Sequence, residues 1–317
     1  MADTNPTVTV EDIRQAHRRI VDHIHRTPVI RSTKLDQLSA CQLWFKCENL
    51  QKVGAFKARG ALNAVLGLAP DTFAAVATHS SGNHGAALAM AASVRGLAAH
   101  IVMPENASVV KKEAVKSYGG IVIECEPTLA ARETSLRQVI VETGAHVIHP
   151  YDDDRIIAGQ GTVGLEVLDQ LQEIDAVVVP VGGGGLLAGV ATAIKSLRPG
   201  IEVIAAEPAG ADDAFRSFGL GHWVPQEDPH TIADGLLTSL GQRNYAIIRE
   251  RVDTILPVAE ASIVEAMQLQ WTRLKSVVEP SGAVSFAAVL EHSERFSGRR
   301  VVCVISGGNV DLNNLPW

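Results

Sequence analysis

Three patterns are missing from this chain, and each absence removes a class of function. Basic residues are not in excess: 28 Lys and Arg stand against 35 Asp and Glu, for a formal charge of −7. A nucleic-acid partner is therefore not expected, since its binder would carry a basic stripe. No apolar run approaches the roughly 20 residues of a membrane span. The opening "MADTNPTVTVEDI" is polar and acidic, unlike a signal or transit peptide. Cysteine is scarce. Cys41, Cys47, Cys125 and Cys303 form no CxxC pair, and the last three sit in apolar strand-like runs. Neither a disulfide framework nor a cysteine metal site is expected, but reduced buried thiols in a cytoplasmic protein. There is also no internal repeat, low-complexity tract or long linker.

What remains is a chain of 317 residues, 46% hydrophobic and 20% charged, enough to bury a sizeable core in one large domain or two lobes. Thr9 to Asp12 reads as a capping box, and apolar residues at 10, 13, 16, 20, 21 and 24 mark a helical face. Strands are expected at 42–48, 73–80, 100–104, 121–125, 145–150, 176–181, 202–208 and 300–306, with helices between several of them. That alternation predicts an α/β fold with parallel sheets covered on both faces. Composition marks no boundary between lobes.

Ligands in open parallel sheets bind beyond the carboxyl ends of the strands. Four polar or glycine-rich runs fall at such ends: "THSSGNHG" (78–85), "PVGGGG" (180–185), "EPAGADD" (207–213) and "SGGN" (306–309). The glycines of "VPVGGGGLLAGV" allow close backbone approach, and the helix that follows supplies amide donors, a phosphate cradle. The same run offers a rival reading. Gly183, Gly185 and Ala188 fit a dinucleotide fingerprint with Glu207 as its acidic residue, as in a nicotinamide-dependent oxidoreductase. Ser80, Ser81, Asn83 and His84 suit a carboxylate, though a Ser or Asn helix cap explains part of that run. Ser306 stands at the edge of the last strand, where a plain turn is the alternative. Glu207, Asp212 and Asp213 offer oxygen ligands for Mg²⁺ or Ca²⁺; the other reading is a solvated acidic loop. Lys57, in "KVGAFKARGA", is set among small and apolar residues, as a desolvated amine would be. Phosphate cradle, carboxylate cradle and apolar-set lysine together suit a phosphorylated aldehyde that forms a Schiff base, pyridoxal 5'-phosphate (PLP).

From about residue 10 to 312 the chain resembles the serine racemase and serine/threonine dehydratase family of fold type II PLP enzymes, including its hydroxyaspartate dehydratase branch. The motifs "GAFKARGALNAV", "THSSGNHGAALA", "IAGQGTVGLEVL", "VPVGGGGLLAG", "AAEPAGADD", "TIADGL", "EPSGAV" and "SGGNVDL" carry the resemblance, in family order and spacing. It implies a two-lobed, tryptophan synthase beta-like fold. The large PLP-binding lobe would comprise residues 1–74 and 153–317, and a small mobile lobe residues 75–152. Lys57 would bear the cofactor and act as the base, with Phe56 against the ring and Asn83 on the ring hydroxyl. Gly182, Gly183, Gly184, Gly185 and Leu186 would hold the phosphate, and Ser306 would face the ring nitrogen. Ser80, Ser81, Asn83, His84 and Arg132 would meet the substrate, with Ser81 opposite Lys57. Glu207, Asp213 and the carbonyl of Ala211 would hold a divalent ion (Mg²⁺, Ca²⁺ or Mn²⁺).

The implied activity is conversion of a β-hydroxy amino acid such as L-threonine or L-serine to a 2-oxo acid and ammonia, with serine racemisation as a companion. The alternatives are 3-hydroxyaspartate dehydration to oxaloacetate and a non-catalytic amino-acid-binding module. A homodimer is implied as well. Ala55 replaces the usual serine of the lysine motif, as in the hydroxyaspartate branch. Ala86 replaces a glutamine that helps bind ATP in mammalian racemases, so the resemblance does not extend to ATP activation. The chain ends at Trp317, soon after "SGGNVDL", so no regulatory domain is expected to follow and feedback by isoleucine is not implied.

Overall fold

The computed structural model describes residues 8–80 and 82–317. Thr9 does cap the first helix, Val10–Ile20: its amide donates to Asp12 Oδ2 at 2.9 Å, and its Oγ1 accepts from Asp12 N. The helix buries Ile13, Ala16 and Ile20. Ten strands follow: β1 (Val29–Ile30), β2 (Gln42–Cys47), β3 (Ala75–His79), β4 (Ala98–Pro104), β5 (Ile121–Cys125), β6 (His146–Val147), β7 (Ala176–Pro180), β8 (Glu202–Pro208), β9 (Thr254–Val258) and β10 (Arg300–Ile305). They form two sheets. The six-stranded one runs β1-β2-β10-β7-β8-β9 and is parallel except for β1. The four-stranded one runs β5-β4-β3-β6 and is parallel throughout.

Period-2 side-chain alternation explains why the larger sheet needs helices on both faces. Val177, Val179, Val203, Ala205, Val302 and Val304 point to one core, with Ile157 and Val163 of helix Asp154–Gln170 and Leu187 and Val190 of helix Gly185–Leu197. Ala176, Val178, Ile204, Ala206, Val301 and Cys303 point to the other, beneath Ala283 and Phe286 of helix Pro280–Glu291. The smaller sheet is sandwiched likewise. Helices Lys57–Leu66 and Asn83–Arg95 contribute to one core, and Leu136 and Val139 of helix Leu129–Thr143 to the other.

Two strands escape the sequence pattern. β1 is only two residues long. β9 contains Pro257, which has no amide to give a ladder; it is tolerated because β9 is an edge.

Where β2 meets helices Lys57–Leu66 and Asp154–Gln170 lies a buried charge cluster that hydrophobic patterning does not reveal. Arg59, Lys46 and Glu48 are fully enclosed, and Glu166 is 3% exposed. Arg59 donates to Glu48 (Nε–Oε2 2.7 Å, Nη2–Oε1 2.8 Å) and to Glu166 (Nη1–Oε1 2.7 Å, Nη2–Oε2 2.9 Å). Lys46 bonds Glu166, the Thr27 carbonyl and Gln170. Each ion thus meets opposite charge and hydrogen bonds, the condition for burying it at all.

Candidate active site

The larger sheet's strands end where sequence reasoning placed the ligand. One cleft there, enclosing about 230 Å³, is lined by Phe56, Lys57, Ser80, Asn83, His84, Arg132, Gly182, Gly183, Gly184, Gly185, Leu186 and Ser306. Those residues come from both sheets' loops and are brought together only by the fold. Ser81 lies outside the described residues. Glu207, Ala211 and Asp213 do not line the cleft.

Lys57 opens the helix Lys57–Leu66, whose register is fixed two residues later by Arg59 and its buried carboxylates. Its Nζ donates to the Pro150 carbonyl at 2.8 Å and lies 5.1 Å from the Phe56 ring centroid. No carboxylate pairs with it among the described residues. Burial alone therefore acts on the ammonium and pushes its pKa down to about 8. Phe56 is tied to the far strand end by its amide, which donates to the Ser306 carbonyl at 3.1 Å.

Past β7 the chain turns through the four glycines. Gly184 has φ +90°, a left-handed conformation that glycine adopts freely. A Cβ on Gly183 would fall 2.3 Å from the Tyr151 ring, so the loop backbone and Tyr151 fit only without a side chain. The amides of Gly182, Gly183, Gly184, Gly185 and Leu186 have no acceptor among the described residues. They lie at the start of the helix Gly185–Leu197, so donors and the positive end of the helix dipole face one spot. A phosphate fits there.

Across the cleft, Ser80 Oγ accepts from Gly82 N (3.2 Å) and Gly85 N (3.1 Å), so its hydroxyl satisfies an amide in the first turn of the helix that starts from Gly82. His84 is buried and its pKa lies well below the usual imidazole value, chiefly from burial and then from Lys57; it is neutral. Asn83 is locked at both ends: Nδ2 donates to Glu279 Oε1 (2.7 Å), and Oδ1 accepts from Asn309 Nδ2 (2.9 Å). Ser306 Oγ donates to the Ser281 carbonyl at 3.3 Å. Arg132 Nε reaches only the Thr128 carbonyl at 3.4 Å and has no carboxylate partner among the described residues.

Sequence reasoning assigned no role to Glu279, Asn309, Tyr151, Lys111 or Asp234. Glu279 and Asn309 stand within quoted motifs. Asp234 stands within a third, "TIADGL", whereas Tyr151 and Lys111 offered no local pattern, because the neighbours that give them a place are remote in sequence.

The acidic loop departs from one expectation. Two of its three carboxylates are not solvated: Glu207 and Asp213 are 0% and 1% exposed, and only Asp212 reaches solvent. Glu207 accepts from Ala214 N (3.0 Å) and Phe215 N (2.8 Å), and Asp213 Oδ2 from Leu240 N (2.7 Å). Asp213 Oδ1 is buried with no partner. Burial is the main cause that raises both pKa values, Asp213 to about 6, with neighbouring carboxylates adding to it. With its oxygens held in the core, Glu207 is not placed to meet a ribose, which removes support from the dinucleotide reading. Among the described residues no group of three or more His, Cys, Asp or Glu side chains is arranged around a metal. The set comprises two carboxylates and a carbonyl.

Likeness to known proteins runs through the whole fold. A family model, Pyridoxal-phosphate dependent enzyme, matches residues 20–307. The chain is 49% identical over 311 residues to a beta-hydroxyaspartate dehydratase of Paracoccus denitrificans (98% of each chain). It is 51% identical over 309 residues to a serine racemase of Arabidopsis thaliana (96% of this chain, 93% of the other). The crystal structure of a serine racemase from Dictyostelium discoideum superposes with a TM-score of 0.92 at 47% identity, covering 96% of this chain and 100% of that one. No described helix is long and apolar enough to cross a membrane. Cleft, sequence and superposition agree, and the chain belongs to the pyridoxal-phosphate-dependent enzyme family.

Proposed function

We propose that this enzyme eliminates water from a β-hydroxy amino acid, L-threonine or L-serine, releasing a 2-oxo acid and ammonia. The observation that carries the reading is Lys57: an amine without a carboxylate partner among the described residues, with a pKa of about 8, in the cleft that also holds the glycine cradle. Pyridoxal phosphate, when bound, supplies the electron sink that makes an α-proton removable. The amides of Gly182 to Leu186 would hold its phosphate, Phe56 and Asn83 its ring, and Ser306 its nitrogen end. Lys57 as a neutral amine accepts the α-proton, and near neutral pH a useful fraction is in that form. Ser306 offers a neutral hydroxyl rather than a carboxylate, so the site does not hold a cation at that end. A neutral partner there would make the bound cofactor a weaker electron sink, which would favour loss of a β-hydroxyl or reprotonation over transamination. Ser81 would serve the opposite face in racemisation. Ser81→Ala is then expected to suppress D-serine turnover far more than L-serine elimination.

A second reading, 3-hydroxyaspartate as substrate, is favoured by Arg132. It is a cleft cation with no carboxylate partner among the described residues, suited to a second carboxylate. A divalent cation at Glu207, Asp213 and the Ala211 carbonyl belongs to the same proposal. The unpartnered Asp213 Oδ1 supports it, as does the lack of an ion-pair partner for either buried carboxylate among the described residues; Arg216 pairs with Asp212 instead. A homodimer is proposed as well, measurable by light scattering. The deciding experiment is a 2-oxo-acid release assay across L- and D-serine, L-threonine and the 3-hydroxyaspartate stereoisomers, with Lys57→Ala as control. Release from none of them, or full release by the folded control, overturns the reading.

A further inference from the structure

The cleft contains a cation that the reading above leaves without work. Lys111, in helix Val109–Ser117 beside the smaller sheet, reaches across the opening and ion-pairs with Asp234 on the other side. Asp234 begins the short turn Asp234–Leu236, fixed in place by Gly235 N donating to Ser281 Oγ at 3.0 Å. The Lys111 side chain is 18% exposed and that of Asp234 49% exposed, so the lysine is the inner partner. Both line the cleft.

The lysine's place is specific. Its side chain lies over Gly82: a Cβ built there would sit 3.3 Å from Lys111 Cδ and 3.4 Å from Nζ. Gly82 is the residue from which helix Asn83–Arg95 starts, and the amides of Asn83 and His84 have no acceptor among the described residues. This is the carboxylate cradle, and the described residues that form it carry no charge. Ser80 and Asn83 are neutral by nature, and His84 is neutral because it is buried. A carboxylate entering it would find dipoles but no counter-ion of the cradle's own, and an unpaired charge in a cleft is costly. An ammonium has three N–H donors, and Asp234 is the acceptor of one.

We propose that Lys111 is the counter-ion of the substrate's α-carboxylate, and that Asp234 holds the ammonium over the cradle from the opposite side of the cleft. This rests on the cleft's being the amino-acid site. It adds a binding residue for every substrate of the class, unlike Arg132, which concerns a second carboxylate alone.

The test compares amines that differ only in carrying a carboxylate. The PLP-loaded enzyme is titrated with glycine and methylamine, and with L-serine and ethanolamine, following the cofactor's absorbance. Lys111→Met is expected to weaken glycine and serine on the order of 10- to 100-fold, the loss of one charge-assisted bond, while methylamine and ethanolamine stay within about threefold. Lys111→Arg is expected to keep most of the preference. Unchanged methylamine binding also shows that the Met variant is folded. Equal weakening of both members of each pair, or unaltered glycine binding, overturns the role of Lys111. A wild-type enzyme whose spectrum responds to no amine at all would instead overturn the amino-acid site, and this proposal with it.

Discussion

At the scale of single residues, two side chains of the cleft lead to measurements. Glu279 is 3% exposed, bonds Asn83 through Oε1 and leaves Oε2 unpartnered. Burial, followed by the charge of Asp234, lifts its pKa to about 7 from 4.5. A carboxyl raised in the native state binds more protons there than in the unfolded chain. Its stabilising contribution is therefore complete below about pH 4.5 and lost as pH rises through 7. Glu279→Gln keeps an acceptor for Asn83 but cannot ionise. Relative to wild type it should gain stability between about pH 5 and pH 8, by at most about 3 kcal/mol for a pKa displaced this far. Urea unfolding of both proteins at the two pH values checks this, and a constant difference would mean that Glu279 titrates normally. Arg132→Ala belongs to the same scale. If hydroxyaspartate is a substrate and Arg132 meets its second carboxylate, relative kcat/KM should fall about 30- to 150-fold against serine, from roughly 2–3 kcal/mol. An equal loss on both substrates would assign Arg132 to a feature they share.

At the scale of elements, the strands and the glycine turn were legible in the sequence because local pattern and fold agree there. "IVIEC" and "EVIAAEP" became β5 and β8 with unaltered bounds. β9 was not legible, since Pro257 argues against a strand everywhere except at an edge, and an edge is defined only by the assembled sheet. The cluster of Arg59, Glu48, Glu166 and Lys46 was hidden for a different reason. Its members lie up to 120 residues apart, and each alone reads as an ordinary surface charge. Its place is informative, because it clamps the helix that begins with Lys57 to β2 and to helix Asp154–Gln170. Arg59→Met should cost about 3–5 kcal/mol by stranding Glu48 in the core without its cation, while Glu166 keeps Lys46. Thermal unfolding would show this as a large drop in Tm, whereas an unchanged Tm would mean that water enters the cluster and screens it.

At the scale of the whole molecule, the buried pair Glu207–Asp213 sits between β8 and the helix Asp213–Leu220, away from the cleft. A cation there would bind the native state alone and stabilise it by mass action. Chelator is expected to lower the Tm, and Mg²⁺ or Ca²⁺ to restore it; a Tm indifferent to both would leave the carboxylates to be satisfied by protons and backbone amides. The two sheets are the other feature at this scale, and composition carries no mark of where one ends. The chain passes from β2 to β3 and back to β7 through two helices, Lys57–Leu66 and Asp154–Gln170, that pack on each other, so the division is one of strand pairing rather than of linkers.

The thiols happen to divide along that same line. Cys47 and Cys303 lie within the larger sheet, Cys41 is buried beside it, and only Cys125, on the edge strand β5 of the smaller sheet, is partly exposed. Burial holds Cys47 up at about 12 and raises Cys303 well above the usual thiol range, so neither offers thiolate to a reagent while the fold persists. The molecule thus carries a built-in clock with two hands. Under a dilute alkylating agent, mass spectrometry should record Cys125 modified early, because it is already partly exposed, and Cys47 and Cys303 only as fast as the larger sheet opens. A ligand held by the glycine turn after β7 would stabilise the larger sheet by mass action and slow the second hand, and so report its binding with no assay of turnover.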